Sequence, residues 1–434
     1  MKLNNKGLAI SGILYSILVL FIVLVFGILS LLASTKFSFD RFRKDIMDSL
    51  NKDVNYVDYN GGDYFENING LERPQLTEKM IPVTYNQTTK KIIVADPNIE
   101  WYNYNEKKWA NAVILKNNII KGPGNEIKES EISQVLVWIP RFEYKANGAK
   151  RADLNFVKKT TIVPTAGFIL HPSFTFGEQE LEGFWISKFE ISGTQTNINS
   201  TFGATSLVEK NLSTFFTSIY NSQEILGVEN RHNFDMHIPK STDWGAVGFL
   251  TYSKYGLCVD EVTCNLSTEN TTLVSPTLSQ AFTNFTQSTT QNIYGLYDTF
   301  GNKMEYVMTL ALESTGNTAV SKTGFNGINV EGNVNIEVID GIKLPDRKYY
   351  DLYPYLQDSS VQSLSSFLLG DGLAEVSGSL IYSSRNSSAS SPVLLRGGYT
   401  RVAGTPFTKT IMDSFEINGS ALNEISTRII VTKG

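Results

Sequence analysis

The chain reads as an α+β protein: an N-terminal transmembrane and stalk helix, a small β module, and a large mixed domain of short helices around twisted strands. Three patterns predict it. Residues 8–33 are 26 positions without an Asp, Glu, Lys or Arg. From residue 76 onward, β-branched and aromatic residues recur in short, nearly alternating runs separated by polar turns. Two later segments space their apolar residues three and four apart, the period of a helix with one buried face.

As a helix the charge-free run reaches nearly 40 Å at ~1.5 Å per residue, against a hydrocarbon core of ~30 Å. It is also longer than the apolar part of a cleaved secretory signal, about 7–15 residues. A single-pass span is therefore expected. Lys2 and Lys6 precede it and Lys36, Arg41, Arg43 and Lys44 follow, so basic charges alone would place the C-terminal side inside. Composition points outward: the remainder is rich in Asn, Ser and Thr and holds two cysteines. The expected location is the cell membrane, with the C-terminal domain extracellular. Phe39, Phe42, Ile46 and Leu50 continue at helical spacing, with Arg41, Lys44, Asp45 and Asp48 on other faces, so residues 1–50 form span and stalk.

Residues 51–75 are polar and glycine-bearing, a linker. MIPVTY (80–85) and KIIVAD (91–96) flank the polar NQTTKK as a hairpin, and residues 100–115 make a second one, giving a β module over 76–130. The mixed domain covers 135–434. LVWIPRFEYK (136–145) and GFWISKFEIS (183–192) are strand-like, whereas 206–220 and 241–255 are helical, the second capped by Ser241, Thr242 or Asp243. Residues 265–291 and 383–391, rich in Ser, Thr and Asn, read as surface loops.

Charged residues are 19% of the chain and the net charge is −5, which gives no electrostatic footprint for nucleic acid. Aromatic residues reach 12%; most must be core, and a surplus suits recognition surfaces. Cys258 and Cys264 either close a small disulfide loop worth about 2 kcal/mol or stay as thiols. With His171, His232 and His237 as the only other soft ligands, their spacing fits no zinc site.

Two resemblances sharpen this reading. A basic leader ending in Lys6-Gly7, followed by an apolar helix that turns amphipathic, resembles the N-terminus of type IV prepilins. It implies cleavage between Gly7 and Leu8 and pilin subunits as partners, although Gly12 stands where that family usually has a Glu. Further on, IYGLYDTFGNKMEYVM (293–308) resembles the G-L-x-D-x-x-G-N-x-x-E-W signature of formylglycine-generating-enzyme-like (sulfatase-modifying factor) domains, a variant of the C-type lectin fold. GFWISKFEIS, PKSTDWGAVGFL (239–250), LLRGGY (394–399) and STRIIV (426–431) match that family's other strings in the same order.

The arrangement is also similar to bacterial and prophage surface proteins of this fold, some of them targets of diversity-generating retroelements. There the segment between R-G-G and the closing strand faces the ligand. Here that segment is 399–426, and the implied ligand-binding residues are Tyr399, Arg401, Thr405, Phe407, Lys409, Asp413, Phe415, Glu416 and Asn418.

The family's enzymes fit less well. Formylglycine generation needs a reactive cysteine pair in the C-terminal part, and residues 265–434 contain no cysteine. The histidine trio of the related sulfoxide synthases has no counterpart, and no G-x-S-x-G nucleophile string occurs. The calcium-ligand strings of sugar-binding lectins are missing too. No catalytic residue, metal or cofactor is therefore expected. The expected role is an adhesin-type or receptor-type binder of an extracellular protein or glycan on another cell; a structural minor pilin and a metal-dependent oxidase are the alternatives.

Overall fold

The computed structural model describes residues 19–21, 68–96, 98–116, 119–146, 152–227, 234–258, 269–270, 274–312, 323–325, 336–339, 341–354, 393–397, 414–417 and 419–433. All but the first three belong to one compact unit, Asp58–Gly434.

The described fold is predominantly β, which corrects the expected α+β class. Its longest helix, Ser241–Thr251, has 11 residues and so reaches only about 16 Å, half of a bilayer core. No helix among the described residues is long and apolar enough to cross a membrane. The expected transmembrane helix and single-pass membrane location are corrected accordingly. A charge-free run meets the length requirement for a span, whereas only residues 19–21 of that run are among the described residues, as helix. Apart from helical residues 19–21, the segment 1–50 lies outside the described residues, Gly7 and Leu8 included.

Eight strands form the main sheet. In chain order they are β1 (Met80–Asn86), β2 (Lys91–Val94), β3 (Asn111–Leu115), β4 (Glu126–Ile127), β5 (Ile132–Pro140), β9 (Gly183–Ser187), β10 (Phe234–His237) and β15 (Ile430–Lys433). Their spatial order is β10-β15-β9-β5-β3-β1-β2-β4. β1 and β2 pair as the expected hairpin, Val83 opposite Val94 and Asn86 opposite Lys91. The boundary expected between a β module and the mixed domain is crossed by the β3–β5 ladder, Asn111 opposite Val137 and Ala112 opposite Leu136. Both segments share one sheet.

The string 136–145 divides where proline ends β5. Pro140 has no amide to extend the ladder, and the chain passes through Arg141 into β6 (Phe142–Ala146), the centre of a three-stranded sheet with β7 (Ala152–Phe156) and β8 (Ile169–Leu170). A four-stranded sheet contains β11 (Met304–Tyr306), β12 (Val393–Arg396), β13 (Ser414–Ile417) and β14 (Ile425–Ser426), in the order β13-β12-β11-β14.

Both predicted helices form, shorter than their patterns. In α1 (Leu212–Asn221), Leu212, Phe215, Phe216 and Ile219 are buried, and the Asn211 side chain caps the first turn by accepting the Thr214 amide at 2.8 Å. In α2 (Ser241–Thr251) the N-cap is Lys240, one residue earlier than expected, because Asp243 reaches back to accept the Lys240 amide at 2.8 Å. Every residue of α2 is buried. The stretch 265–291 is no simple surface loop: Ser275, Ala281, Ser288, Thr289 and Thr290 are buried. A Cβ on Gly295 would lie 2.4 Å from the Ser288 hydroxyl, so only glycine lets that turn close on these small polar side chains.

The large core joins α1 and α2 to Trp109, Trp138 and Trp185, and a second cluster packs Tyr85, Val113, Val135, Phe189 and Tyr297. All five tryptophans are buried. Indole rings therefore serve the core here.

Candidate functional site

Seven polar side chains from four of the resembling strings meet in the interior. Lys188, Glu190, Asp298, Asn302, Glu305, Arg396 and Arg428 are each at most 1% exposed. Such residues are seldom buried unless paired, and the pairing is extensive. Arg428 Nε donates to both Glu305 carboxylate oxygens at 2.9 Å. Its Nη1 donates to the Ser187 and Lys188 carbonyls at 3.1 and 3.0 Å, and its Nη2 to the Tyr297 carbonyl at 2.6 Å. The guanidinium also lies 5.7 Å from the Trp244 ring on α2. One arginine thus ties the end of β9, the 293–308 string and the approach to β15.

Lys188 performs the same task on the second core cluster. Its ammonium donates to Asn111 Oδ1 at 2.9 Å and to the Ile293 and Gly295 carbonyls at 2.6 and 2.7 Å. The Tyr85 and Tyr297 rings lie 5.3 and 5.5 Å away. Tyr85 donates its hydroxyl to the same Asn111 oxygen at 2.9 Å. Burial holds the lysine well below its ordinary value.

The turn after Tyr297 is tightly wound. Asp298, Gly301 and Asn302 have φ of 60°, 90° and 54°, which Asp, Asn and Gly tolerate best. Ser275 donates to Asp298 at 2.5 Å. Asn302 Nδ2 donates to Ser206 Oγ at 2.9 Å and to Glu190 at 3.2 Å, and the Lys303 amide donates to Glu190 at 3.0 Å. Burial, then the Glu305 and Asp298 carboxylates, raise Glu190 well above the usual range. Burial also pushes Glu305 up to about 7, against the pull of Arg428.

This network fastens the base of the segment implied to bind ligand. β11 pairs with β12, Glu305 opposite Arg396, and runs parallel to β14, Glu305 opposite Ser426. β12 and β13 form an antiparallel hairpin, Val393 opposite Ile417 and Arg396 opposite Ser414. Residues 397–413 are therefore its connection, entered at Gly397 with φ 69°. A Cβ there would sit 2.9 Å from the Thr299 carbonyl and 3.5 Å from the Trp244 ring.

Of the expected ligand-binding residues, Phe415 and Glu416 fall on β13. Tyr399, Arg401, Thr405, Phe407, Lys409 and Asp413 belong to the hairpin connection and Asn418 follows β13; these seven lie outside the described residues. Cys258 is buried and disulfide-bonded, while Cys264 and His232 lie outside the described residues.

Two histidines occupy settings that the sequence did not single out. His237 Nδ1 lies 3.0 Å from Asp235, whose other oxygen accepts the Tyr349 hydroxyl at 2.6 Å. Burial raises Asp235, but His237, Tyr349 and Lys348 outweigh it and hold the carboxyl below the ordinary value. Asp235 orients the ring as in a catalytic dyad, yet the ring is buried, stacked on Phe176, and its Nε2 has no hydrogen-bond partner among the described residues. His171 packs among Phe142, Tyr144, Phe174 and Phe249. Among the described residues, no group of three His, Cys, Asp or Glu side chains is placed to hold a metal ion.

Sequence reasoning reached Lys188, Glu190, Glu305 and Arg428 only as letters of a motif. Asn111, the acceptor shared by Lys188 and Tyr85, carries no signal, being one Asn among many. No family model and no curated protein matches the chain.

Proposed function

We propose that the chain is a non-catalytic recognition protein whose lectin-like domain presents residues 399–418 to a protein or glycan on another cell. One observation carries this reading. The strands flanking residues 397–413 are fastened from beneath by a buried ionic network, a rigid base of the kind on which recognition segments are carried. The order of the five strings, and the meeting of their polar side chains in that network, support a domain of the formylglycine-generating-enzyme-like type.

The test is a glycan and cell-surface protein array probed with the full chain and with a variant in which residues 398–413 are replaced by a Gly/Ser segment of equal length. Binding by the wild type, lost in a variant that keeps its thermal midpoint, is the expected result. Equal binding by both would refute the assignment of the face.

A further inference from the structure

β13 stands at the end of its sheet, in the order β13-β12-β11-β14. One side of it is paired, Val393 opposite Ile417 and Leu395 opposite Phe415, and among the described residues no strand lies along the other side. Which backbone groups face that open side follows from the neighbouring ladder. The Val307 amide donates to the Leu394 carbonyl at 3.4 Å, so Leu394 turns its N–H and C=O toward β11. Successive residues of an antiparallel strand alternate, so Val393 and Leu395 turn theirs toward β13, where they meet Ile417 and Phe415. Ser414 and Glu416 are then left with N–H and C=O pointing away from β12.

An exposed row of this kind is a template for another chain. Each residue offers one donor and one acceptor, and the two repeat at roughly 6.8 Å, twice the ~3.4 Å rise of a strand. A second extended main chain matches that repeat, as β12 does on the inner side, whereas glycan hydroxyls do not recur at that spacing. The template is also held in place. β11 carries Glu305, which Arg428 grips through both carboxylate oxygens. Beyond β13 the Gly419 carbonyl accepts the Leu212 amide of α1 at 3.1 Å. A preformed edge spares the ordering that binding otherwise costs. Native sheets guard their edges by keeping them very short or charging them. β4, at the end of the main sheet, has two residues, and its Glu126 is paired with Lys91. β13 has four, SFEI, with neither Lys nor Pro.

We propose that the ligand is a protein, one extended segment of which adds as a further strand along the Ser414–Glu416 edge of β13. This rests on the reading of residues 399–418 as the recognition segment, and it narrows the ligand from protein or glycan to an extended peptide.

The glycan and cell-surface protein array, with the chain itself as an added spot, separates the two ideas. Signal on protein spots is expected. Signal confined to glycans or to the chain itself would overturn the added strand and leave the recognition segment standing. No signal, or equal signal from the chain with residues 398–413 replaced, would remove both. Hydrogen exchange then follows two amides of the full chain, free and saturated with the protein of the strongest spot. Phe415, whose N–H faces β12, should be protected in both states. Glu416 should exchange quickly in the free chain and roughly tenfold or more slowly in the complex. Slow exchange in the free chain would show that the edge is already covered, and unchanged exchange on binding that no bond forms there; either overturns the proposal. Glu416→Pro removes an outward N–H and no ladder bond, so it should keep the thermal midpoint and lose about tenfold or more in binding. Undiminished binding would overturn the proposal, and should that variant fail to fold, the exchange data decide alone.

Discussion

Arg428 shows why single charged residues matter more here than composition suggests. It satisfies both oxygens of Glu305 and three backbone carbonyls from a position with no solvent exposure. Arg428→Met would leave Glu305 buried without its counter-charge, a change that costs about 3–5 kcal/mol. Arg428→Lys should cost nearly as much, because one ammonium cannot reproduce a planar fork spread over five acceptors. Chemical denaturation measures both, and a loss under about 1 kcal/mol for the lysine variant would show that the network is not held by this side chain. His171 carries a separate pH dependence. Burial, and secondarily Lys240, lower it to about 3. The unfolded chain therefore takes up a proton near the ordinary histidine range while the native state does not. Stability is full above that range and falls as pH drops toward about 3, by about 1.4 kcal/mol per unit. His171→Asn keeps an acceptor for the Ser173 amide, which His171 Nδ1 now accepts at 3.3 Å, and should flatten the acid limb of the stability profile. An unchanged limb would mean that another group governs it. Residues of this kind were only partly legible. Lys188 and Glu190 stand next to strand β9, where alternation says nothing about burial of a charge, and only the motif containing them marked them out.

At the scale of elements, the sequence located the β1–β2 hairpin and both helices, because alternation and three-to-four spacing reflect which face is buried. Their ends were read less well. Lys240 became the cap because the Asp243 side chain turned back to its amide, a choice that periodicity cannot anticipate. The Ser/Thr-rich stretch misled for a related reason: polar composition suggests solvent, yet Ser288, Thr289 and Thr290 are buried around Gly295, where Ser288 and Thr290 bond each other and Thr289 accepts the Leu296 amide. Glycines in the motifs were better guides. Gly301 has φ 90°, so Gly301→Val should destabilise the fold by about 2–3 kcal/mol, since a β-branched side chain does not accept that backbone. Of the two glycines in LLRGGY, Gly398 lies outside the described residues, and Gly397 is the one that rests against Thr299 and Trp244. Arg401→Ala and Asp413→Ala, in the hairpin connection, should change stability by less than about 0.5 kcal/mol. Thermal melts of the three variants separate scaffold from recognition segment, and equal losses would place the recognition face elsewhere.

The whole molecule depends on strands that are far apart in sequence. β15, the four-residue strand Ile430–Lys433, lies between β10 and β9, with Val431 opposite both Trp185 and Met236. β1 to β4, from the N-terminal part of the described unit, complete the same sheet. A domain border drawn near residue 130 was the natural reading of the sequence, because the hairpins of 76–130 are local patterns while the β3–β5 ladder is not. The consequence is cooperative. If residues 80–127 and 132–433 share one sheet and adjoining cores, neither can melt while the other remains intact. Calorimetry of the full chain should therefore show one transition for the 58–434 unit, and tryptophan signals from Trp109 and Trp244 should follow it together. Deleting residues 430–434 should remove more than a tail. Ile430 and Val431 are fully buried, each side chain contributing about 1.5–3 kcal/mol, and two ladders lose their shared strand. That loss is comparable with the roughly 5–15 kcal/mol by which a domain exceeds its unfolded state. The truncated chain should fail to fold, including the β1–β2 hairpin some 350 residues upstream. A truncation that left residues 80–127 folded and protected from proteases would show that the two parts are independent after all.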